Sequence, residues 1–247
     1  LNRKHILSWC LFDFANSSYS AVIAAVVFPV YYSQVIVGNG GGTGDLWWGR
    51  AISLSMAIIA LSSPFLGGIA DYAGKRKGFL FVYTYLCIIS VACFSFLHKG
   101  MVMEGFAMVV LANIGLEGGL VFYNAFLPEI SPRDHQGRVS AWGFGTGYAG
   151  SILSLLIAVP LVKGGYYGST WLMVAAFFAI FSSPAFLFLP SDCSPGTPIL
   201  AASLKGFRYA VDTLKELWER KEPRKFLLAY LIYEDGVNTV IVFSSLF

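Results

Sequence analysis

The residue types best able to do chemistry in this chain are an acid and an amide that occur together twice. Asp13 and Asn16 form one Asp-x-x-Asn, and Asp235 and Asn238 form another. Residues three apart share one face of a helix, so each copy would present a carboxylate and an amide together, to bind a small polar solute or carry a proton. A repeated helix with the same polar face is typical of the two parallel halves of a transporter. Transport is therefore the first hypothesis.

Further polar side chains lie at helical spacing within the same apolar segments. The candidate residues for binding substrate or protons are Asp13, Asn16, Ser17 and Ser20 in the first segment, Asn113, Glu117 and Asn124 in the fourth, and Glu234, Asp235 and Asn238 in the seventh. Each charge at the centre of a membrane helix costs about 2.5–3.5 kcal/mol by insertion scales. These acids must therefore face a cavity, form pairs or carry protons. The alternative that stays open is that they only hydrogen-bond to neighbouring helices.

The composition places these residues in a membrane protein. Hydrophobic residues make up 56% of the chain, charged residues make up 13%, and the mean hydropathy is +0.66. Average soluble domains contain roughly 25% charged residues. Seven apolar runs occupy positions 6–37, 46–70, 79–97, 101–128, 139–162, 171–190 and 226–247. Each reaches the roughly 20 residues that a helix needs to cross the hydrocarbon layer, so the sequence predicts an all-α, polytopic membrane protein with seven spans.

The distribution of Lys and Arg predicts the orientation. With a cytoplasmic N-terminus, the inner segments hold fourteen of these residues, whereas the outer loops hold Lys99 and Lys163 and a helix end holds Arg50. Cytoplasmic loops carry the excess of basic residues in membrane proteins. We expect a multi-pass protein of the cell membrane, or alternatively of a vacuolar membrane, with its N-terminus inside. The net charge of +3 then needs no nucleic-acid partner, which would require a basic patch on a soluble module.

No metal or cofactor is expected from the sequence. His5, His98 and His135 are scattered along segment borders, and the four cysteines form no C-x-x-C. A metal site would need several such ligands at characteristic spacing. The cysteines are therefore interpreted as small hydrophobic residues.

A long polar stretch separates the sixth and seventh apolar runs. Its start, at 191–198, is rich in Pro, Gly and Ser and is typical of a linker. Apolar residues then recur at helical spacing, at Leu200, Leu204, Phe207, Val211, Leu214 and Trp218. This periodicity predicts an amphipathic helix on the inner membrane surface. Two interpretations stay open: the helix only tethers the flanking segments, or it has a regulatory or lipid-sensing role.

The loop after the second apolar run carries the most specific short motif. Its sequence at 67–77 is G-G-I-A-D-Y-A-G-K-R-K, in which the glycines would let the flanking helices approach and turn tightly. It resembles the G-x-x-x-D-[RK]-x-G-[RK]-[RK] signature of the major facilitator superfamily, except that Tyr72 replaces the first basic residue. The resemblance implies a cytoplasmic charge network that latches one transport state, with Arg138 as the partner of Asp71. The latch candidates are Gly67, Asp71, Gly74, Lys75, Arg76 and Arg138.

Four other segments resemble one branch of that superfamily more narrowly. They are W-C-L-F-D-F-A-N-S at 9–17, F-P-V-Y at 28–31, N-A-F-L-P-E at 124–129 and D-G-V-N-T at 235–239. Along its length the chain is similar to the vacuole effluxers, the facilitator branch of the autophagy-related vacuolar amino acid permeases and their bacterial relatives. The resemblance implies a twelve-helix transporter of small solutes, amino acids among them, that works by alternating access.

The same resemblance divides the chain into three parts. It implies an N-terminal six-helix transmembrane bundle at 1–190, a cytoplasmic linker with an amphipathic helix at 191–225, and a seventh transmembrane helix at 226–247 that begins a C-terminal bundle. Twelve spans would need roughly 360 residues at about 30 residues each, so we expect either that the chain is a fragment or that the rest of the second bundle lies elsewhere.

The expected partners are a small-molecule substrate, the lipid bilayer, protons and the missing C-terminal half. A non-transporting sensor or scaffold on the same fold stays an alternative. A membrane-embedded enzyme is disfavoured, because no H-E-x-x-H or paired Asp motif lies at membrane depth.

Overall fold

The regular elements of the chain are helices throughout the part that the computed structural model describes, residues 2–38, 40–192 and 197–246. The long helices are α1 (Arg3–Ser18), α2 (Thr43–Gly68), α3 (Arg76–Cys93), α4 (Val102–Asn124), α5 (Arg133–Lys163), α6 (Tyr167–Phe188), α7 (Ile199–Glu219) and α8 (Lys221–Phe243). Six of these described helices, α2 to α6 and α8, are long and apolar enough to cross a membrane. The expected all-α, multi-pass architecture is thus confirmed. Residues 193–196 of the expected linker, with Cys193, lie outside the described residues.

The first span is a bent helix rather than a straight one. Helix α1 continues into a π-helical stretch, Tyr19–Val26, which is followed by a short helix, Phe28–Val30, and a second π-helical stretch, Tyr31–Val37. The two halves of this span meet at 40°. Pro29 lies directly after the bend; a proline lacks the backbone N–H and its ring disfavours a continuous helix. By length and composition, the two halves together are apolar enough to form one span.

Glycines allow the spanning helices to approach closely. Helix α4 packs along α3, where a Cβ atom on Gly115 would lie 2.6 Å from the backbone nitrogen of Cys87. Helix α5 packs along α1 through Gly143, Gly147 and Gly150, whereas Gly145 faces open space. Small residues have this role wherever helices associate in membranes. The structure therefore assigns helix packing to Gly143, Gly147 and Gly150 of α5.

An aromatic cluster closes the core at the end of the bundle opposite the 67–77 loop. The ring of Phe28, beside the bend, stacks on Phe94 at 4.1 Å between centroids and contacts Trp171 edge-on at 5.0 Å. All three side chains are fully buried. Large aromatic side chains contribute much of a packed core, so this cluster fixes the bent half of the first span against α6 and the turn that follows α3.

Helix α8 lies at the edge of the structure. None of its described residues is buried. The indole Nε1 of Trp48, in α2, donates a hydrogen bond to the Val242 carbonyl at 3.3 Å. Helices α1 to α6 form one continuous core, which α8 only touches. The division at 190 and 225 stays a prediction.

Candidate functional site

The first Asp-x-x-Asn lies where α1 crosses α5. The Asn16 amide donates to Asp13 Oδ1 at 3.4 Å, and Ser17 Oγ donates to the Asp13 carbonyl at 2.7 Å. Opposite them stands Gly147, where a Cβ atom would lie only 2.9 Å from both Asp13 Oδ2 and Ser17 Oγ. Asn16 is buried and Asp13 is half-buried, whereas Ser20 is exposed. The glycine of α5 therefore makes room for the carboxylate of α1.

A tyrosine of α4 completes the surroundings of this crossing. Tyr123 stacks on Trp9 with 4.6 Å between ring centroids and on Phe12 with 5.0 Å. The Trp9 indole donates a hydrogen bond to the Tyr123 carbonyl at 3.2 Å. The Tyr123 hydroxyl itself is buried and has no hydrogen-bond partner among the described residues. Burying such a group unpaired costs free energy, so a water molecule or a solute is its natural partner.

The polar residues expected on α4 fall into three different environments. The Asn113 amide donates a hydrogen bond of 2.8 Å to Ser55 Oγ of α2, and both side chains are buried. Asn113 thus links two helices, and Ser55 is a partner that sequence reasoning missed. Glu117, one turn later, is half-buried. Asn124 is exposed at the end of the helix, so the structure does not bring these three residues into one site.

The second Asp-x-x-Asn lies on the peripheral helix α8. Asp235 and Asn238 are exposed, and Glu234 is half-buried. The structure does not bring them together with Asp13 and Asn16. A cavity shared by the two Asp-x-x-Asn copies stays a prediction, because it needs the rest of the second bundle.

Two acids, Asp13 and Glu117, lie well inside spanning helices α1 and α4. Neither Asp13 nor Glu117 forms an ion pair with Lys or Arg within the described part. Two half-buried carboxylates without a fixed counter-ion can bind a proton or the ammonium group of a solute. No group of three or more His, Cys, Asp and Glu side chains in the described ranges could hold a metal ion.

The 67–77 loop contains a charged cluster centred on Arg76. Gly74 turns the chain with φ +61°, a conformation that favours glycine. Beyond the turn, Arg76 Nη1 lies 2.5 Å from Glu129 Oε2, and Nη2 lies 3.8 Å from Asp71 Oδ1. Arg76 Nε also donates a hydrogen bond to the Ala70 carbonyl at 2.9 Å. One guanidinium thus ties the end of α2 to the segment that follows α4.

Two expectations about this loop are corrected by the structure. Arg138 is not the partner of Asp71: its guanidinium lies 5.2 Å from the centre of the Trp142 ring, and Arg76 takes the place expected for it because the Gly74 turn brings it close. Gly67 has no atom near the position of a Cβ and so is not needed for close packing. Its neighbour Gly68 packs instead, with a hypothetical Cβ 2.7 Å from the Cα of Gly206 in α7.

Two acids of this cluster were missed as site residues. Glu129 belongs to the N-A-F-L-P-E segment. Its position directly after a proline at a helix end is the sequence feature that could have indicated it as a site residue. Asp192, beyond α6, accepts hydrogen bonds from the backbone N–H of Lys77 at 2.7 Å and of Gly78 at 3.1 Å. These N–H groups have no partner within the first turn of a helix, so Asp192 stabilises the start of α3. Nothing local in the sequence indicates this contact.

The charged cluster surrounds a small cavity of about 210 Å³. Its walls combine three acids and one arginine with apolar and small residues: Ala70, Asp71, Gly74, Arg76, Phe126, Glu129, Ser191 and Asp192. The side chain of Asp71 is 64% exposed, so it can still accept a donor from another segment. Helices α2, α4 and α6 all end at this cluster. Breaking its contacts would therefore alter the positions of three helix ends together.

The chain is similar to known membrane transporters. Residues 50–247 match the family described as Vacuole effluxer Atg22 like. An uncharacterized MFS-type transporter, YxiO of Bacillus subtilis, is 30% identical over 96% of this chain and 58% of its own length. The multidrug resistance protein MdtG of Salmonella paratyphi C is 28% identical over 67% of this chain and 39% of its own length. No solved structure matches the chain. The chain spans about half the length of these curated relatives.

Proposed function

The chain belongs to the Atg22-like vacuole effluxer family, and from this premise we propose that it forms the N-terminal bundle of a secondary transporter. The transporter would move a small polar solute across the membrane by alternating access. The observation that carries this proposal is the crossing of α1 and α5, where Asp13 is held against Gly147 beside Asn16. A carboxylate within a spanning helix is costly, and here no basic side chain of the described part neutralises it.

The groups at this crossing suggest the class of solute. A carboxylate accepts hydrogen bonds or binds a cation, and an amide both donates and accepts. The unpartnered Tyr123 hydroxyl adds a further donor. Together they suit a solute with an ammonium group and a hydrogen-bonding group, such as an amino acid. Glu117 on α4 would carry the proton whose movement drives transport.

The charged cluster would act as the latch of one transport state. In alternating access, contacts at one end of the bundles form in one state and open in the other. The Asp71–Arg76–Glu129 cluster ties three helix ends within this bundle, and the exposed Asp71 carboxylate leaves an acceptor for a second bundle. We place this cluster on the cytoplasmic side of a bacterial cell membrane, because the excess of Lys and Arg lies at the same end.

The second bundle would begin with α8. Halves related by an axis along the membrane normal place their first helices at equivalent positions around the central cavity. The exposed Asp235 and Asn238 would then face Asp13 and Asn16 once the rest of that bundle is present. A sensor or scaffold on the same fold remains the second candidate function, because Asn113 and Ser55 illustrate that polar residues here also have structural roles.

The proposal is tested by counterflow in vesicles. The protein, expressed from its own gene, is reconstituted into liposomes preloaded with one unlabelled amino acid, and uptake of the same labelled amino acid is followed. We expect transient accumulation of at least one amino acid above protein-free liposomes, and faster net uptake with a proton gradient. Binding of an amino acid without any flux would instead indicate a sensor.

A further inference from the structure

Helix α7 is held at one end of the bundle by its neighbours in the chain. It follows α6 after a short connection and is followed at once by α8, and both are long and apolar enough to span a membrane. Helix α7 is the only long helix of the described part that does not qualify as a span or part of one. Its 21 residues extend for about 32 Å at 1.5 Å per residue. It must therefore run beside the bundle near the membrane surface.

One face of α7 fixes it against α2. Ala202, Ser203 and Gly206 are buried, and Gly206 meets Gly68 backbone to backbone. On one side of this contact, the ring of Phe207 stacks on Phe65 with 4.7 Å between centroids. These contacts hold α7 at the level where α2 ends. The buried residues of the packing face are small, and Phe207, at the border of this face, is the one large apolar side chain that adds to the contact.

The large apolar residues of α7 form a separate, uncovered stripe. The side chains of Leu200, Leu204 and Trp218 are 72%, 54% and 51% exposed, and Leu214 is exposed as well. With Phe207 and Val211 they recur every three or four residues and so share one face. Uncovered apolar residues of this size mark a surface that contacts a membrane or another protein.

The charges beside the stripe favour the membrane. Arg208 and Lys215 each lie one turn after a stripe residue, and both are exposed and outside the ion pairs of the described part. Arg220, in contrast, is paired with Glu216 at 2.5 Å. Basic side chains at the border of an apolar face extend their charged ends to lipid phosphates while their stems cover the apolar region. Trp218 is the residue type enriched at membrane interfaces.

We propose that α7 is an anionic-lipid-binding helix that lies in the interface of the bilayer. The stripe enters the region between headgroups and acyl chains, and Arg208 and Lys215 bind the phosphates of anionic phospholipids. The small-residue face holds the helix on α2, so the lipid contact fixes the connection between α6 and α8. This inference requires only that the chain spans a membrane, and it is independent of transport.

Lipid quenching of a fluorescent label tests the position of α7. Leu204→Cys is made in a background with Cys93→Ser and Cys193→Ser, where the remaining Cys10 and Cys87 are buried. The new cysteine is labelled with an environment-sensitive fluorophore, and the protein is placed in nanodiscs with brominated phosphatidylcholine. Asp212→Cys, on the charged face of the same helix, is the matched control. We expect quenching at position 204 to exceed that at 212 by about twofold or more, as for a helix lying in the interface. Equal quenching, or no quenching at 204, would overturn the proposal.

The charge of the lipid tests the role of the basic residues. We expect phosphatidylglycerol to increase quenching at position 204, and we expect the double variant Arg208→Gln, Lys215→Gln to lose that increase while keeping its signal in neutral lipid. Lys99→Gln, in the loop between α3 and α4, is the control and should retain the increase. An increase that survives the double variant, or no effect of phosphatidylglycerol in the parent, would contradict anionic-lipid binding.

Discussion

At the residue scale, the account depends on the carboxylate of Asp13. We expect Asp13→Asn to abolish or uncouple transport while the protein still inserts, because the amide keeps the volume but can neither carry a proton nor bind a cation. Counterflow and proton-driven uptake are measured with insertion checked by protease protection. Asp134→Asn, an exposed acid in the first turn of α5, is the control and should behave as the parent. Full proton-driven uptake in Asp13→Asn would show that the carboxylate has only a structural role.

A second residue-scale prediction concerns the space beside that carboxylate. Gly147→Ala places a Cβ atom 2.9 Å from Asp13 Oδ2, so the side chain must leave its position. A rotamer displaced in this way costs about 0.5–1.5 kcal/mol, which corresponds to a two- to tenfold loss of solute affinity. The measurement is the apparent affinity in counterflow. Gly145→Ala, which meets open space, should leave it unchanged, and equal effects of the two variants would contradict the prediction.

The sequence predicted which residue types matter here, but it could not separate their environments. Helical spacing placed Asp13, Asn16 and Ser17 on one face, and the structure brings them together at a crossing. The same rule grouped Asn113 with Glu117 and Asn124, although the first is bound to Ser55 and the last is exposed. Spacing fixes the face of a helix, whereas the partner of that face depends on packing between segments distant in the sequence.

At the element scale, the charged cluster joins the ends of α2 and α4. Exchanging the charges, with Arg76→Glu and Glu129→Arg together, should restore part of the transport that either single change removes. Partly exposed ion pairs contribute at most about 1 kcal/mol, which corresponds to roughly a fivefold change in the balance of two states. Initial rates of counterflow report that balance. A double variant no better than the worse single variant would argue against the Arg76–Glu129 pair.

The start of α3 gives a second prediction at this scale. Asp192→Ala removes the acceptor for two backbone N–H groups, and loss of such a cap costs about 0.5–2 kcal/mol. We expect a lower temperature of unfolding in detergent, measured by the fluorescence of a thiol-reactive dye. Asp212→Ala, on an exposed face of α7, should cause no such change, and an unchanged midpoint in Asp192→Ala would contradict the capping role.

The elements themselves were largely predictable, whereas their contacts were not. Long apolar runs predicted the spans, and periodic apolar residues predicted the helix at 199–219. The sequence pattern did not reveal that Ala202 and Gly206 would make the buried face of that helix, because small residues give a weak signal. In the structure Arg76, and not Arg138, lies beside Asp71, because the Gly74 turn places Arg76 closer.

At the scale of the whole molecule, helices α1 to α6 form one core in the part that the structure describes, and α8 lies at its edge. That arrangement suits a bundle that pairs with another, since α8 buries none of its described residues here. The curated relatives are about twice as long as the matched region. We therefore propose that Asp235 and Asn238 enter a cavity only together with a second bundle.

Alternating access would expose the surroundings of Asp13 to each side of the membrane in turn, and labelling of a nearby cysteine measures that exposure. Ser17 lies one turn from Asp13 and is half-buried. Ser17→Cys is made together with Cys93→Ser and Cys193→Ser. The variant is labelled with a membrane-impermeant thiol reagent in right-side-out and in inverted vesicles. The account predicts labelling from both sides, with the ratio of the two rates shifted by Arg76→Gln, which weakens the latch. A cysteine at position 17 that reacts from neither side, or from only one side in every variant, would contradict it.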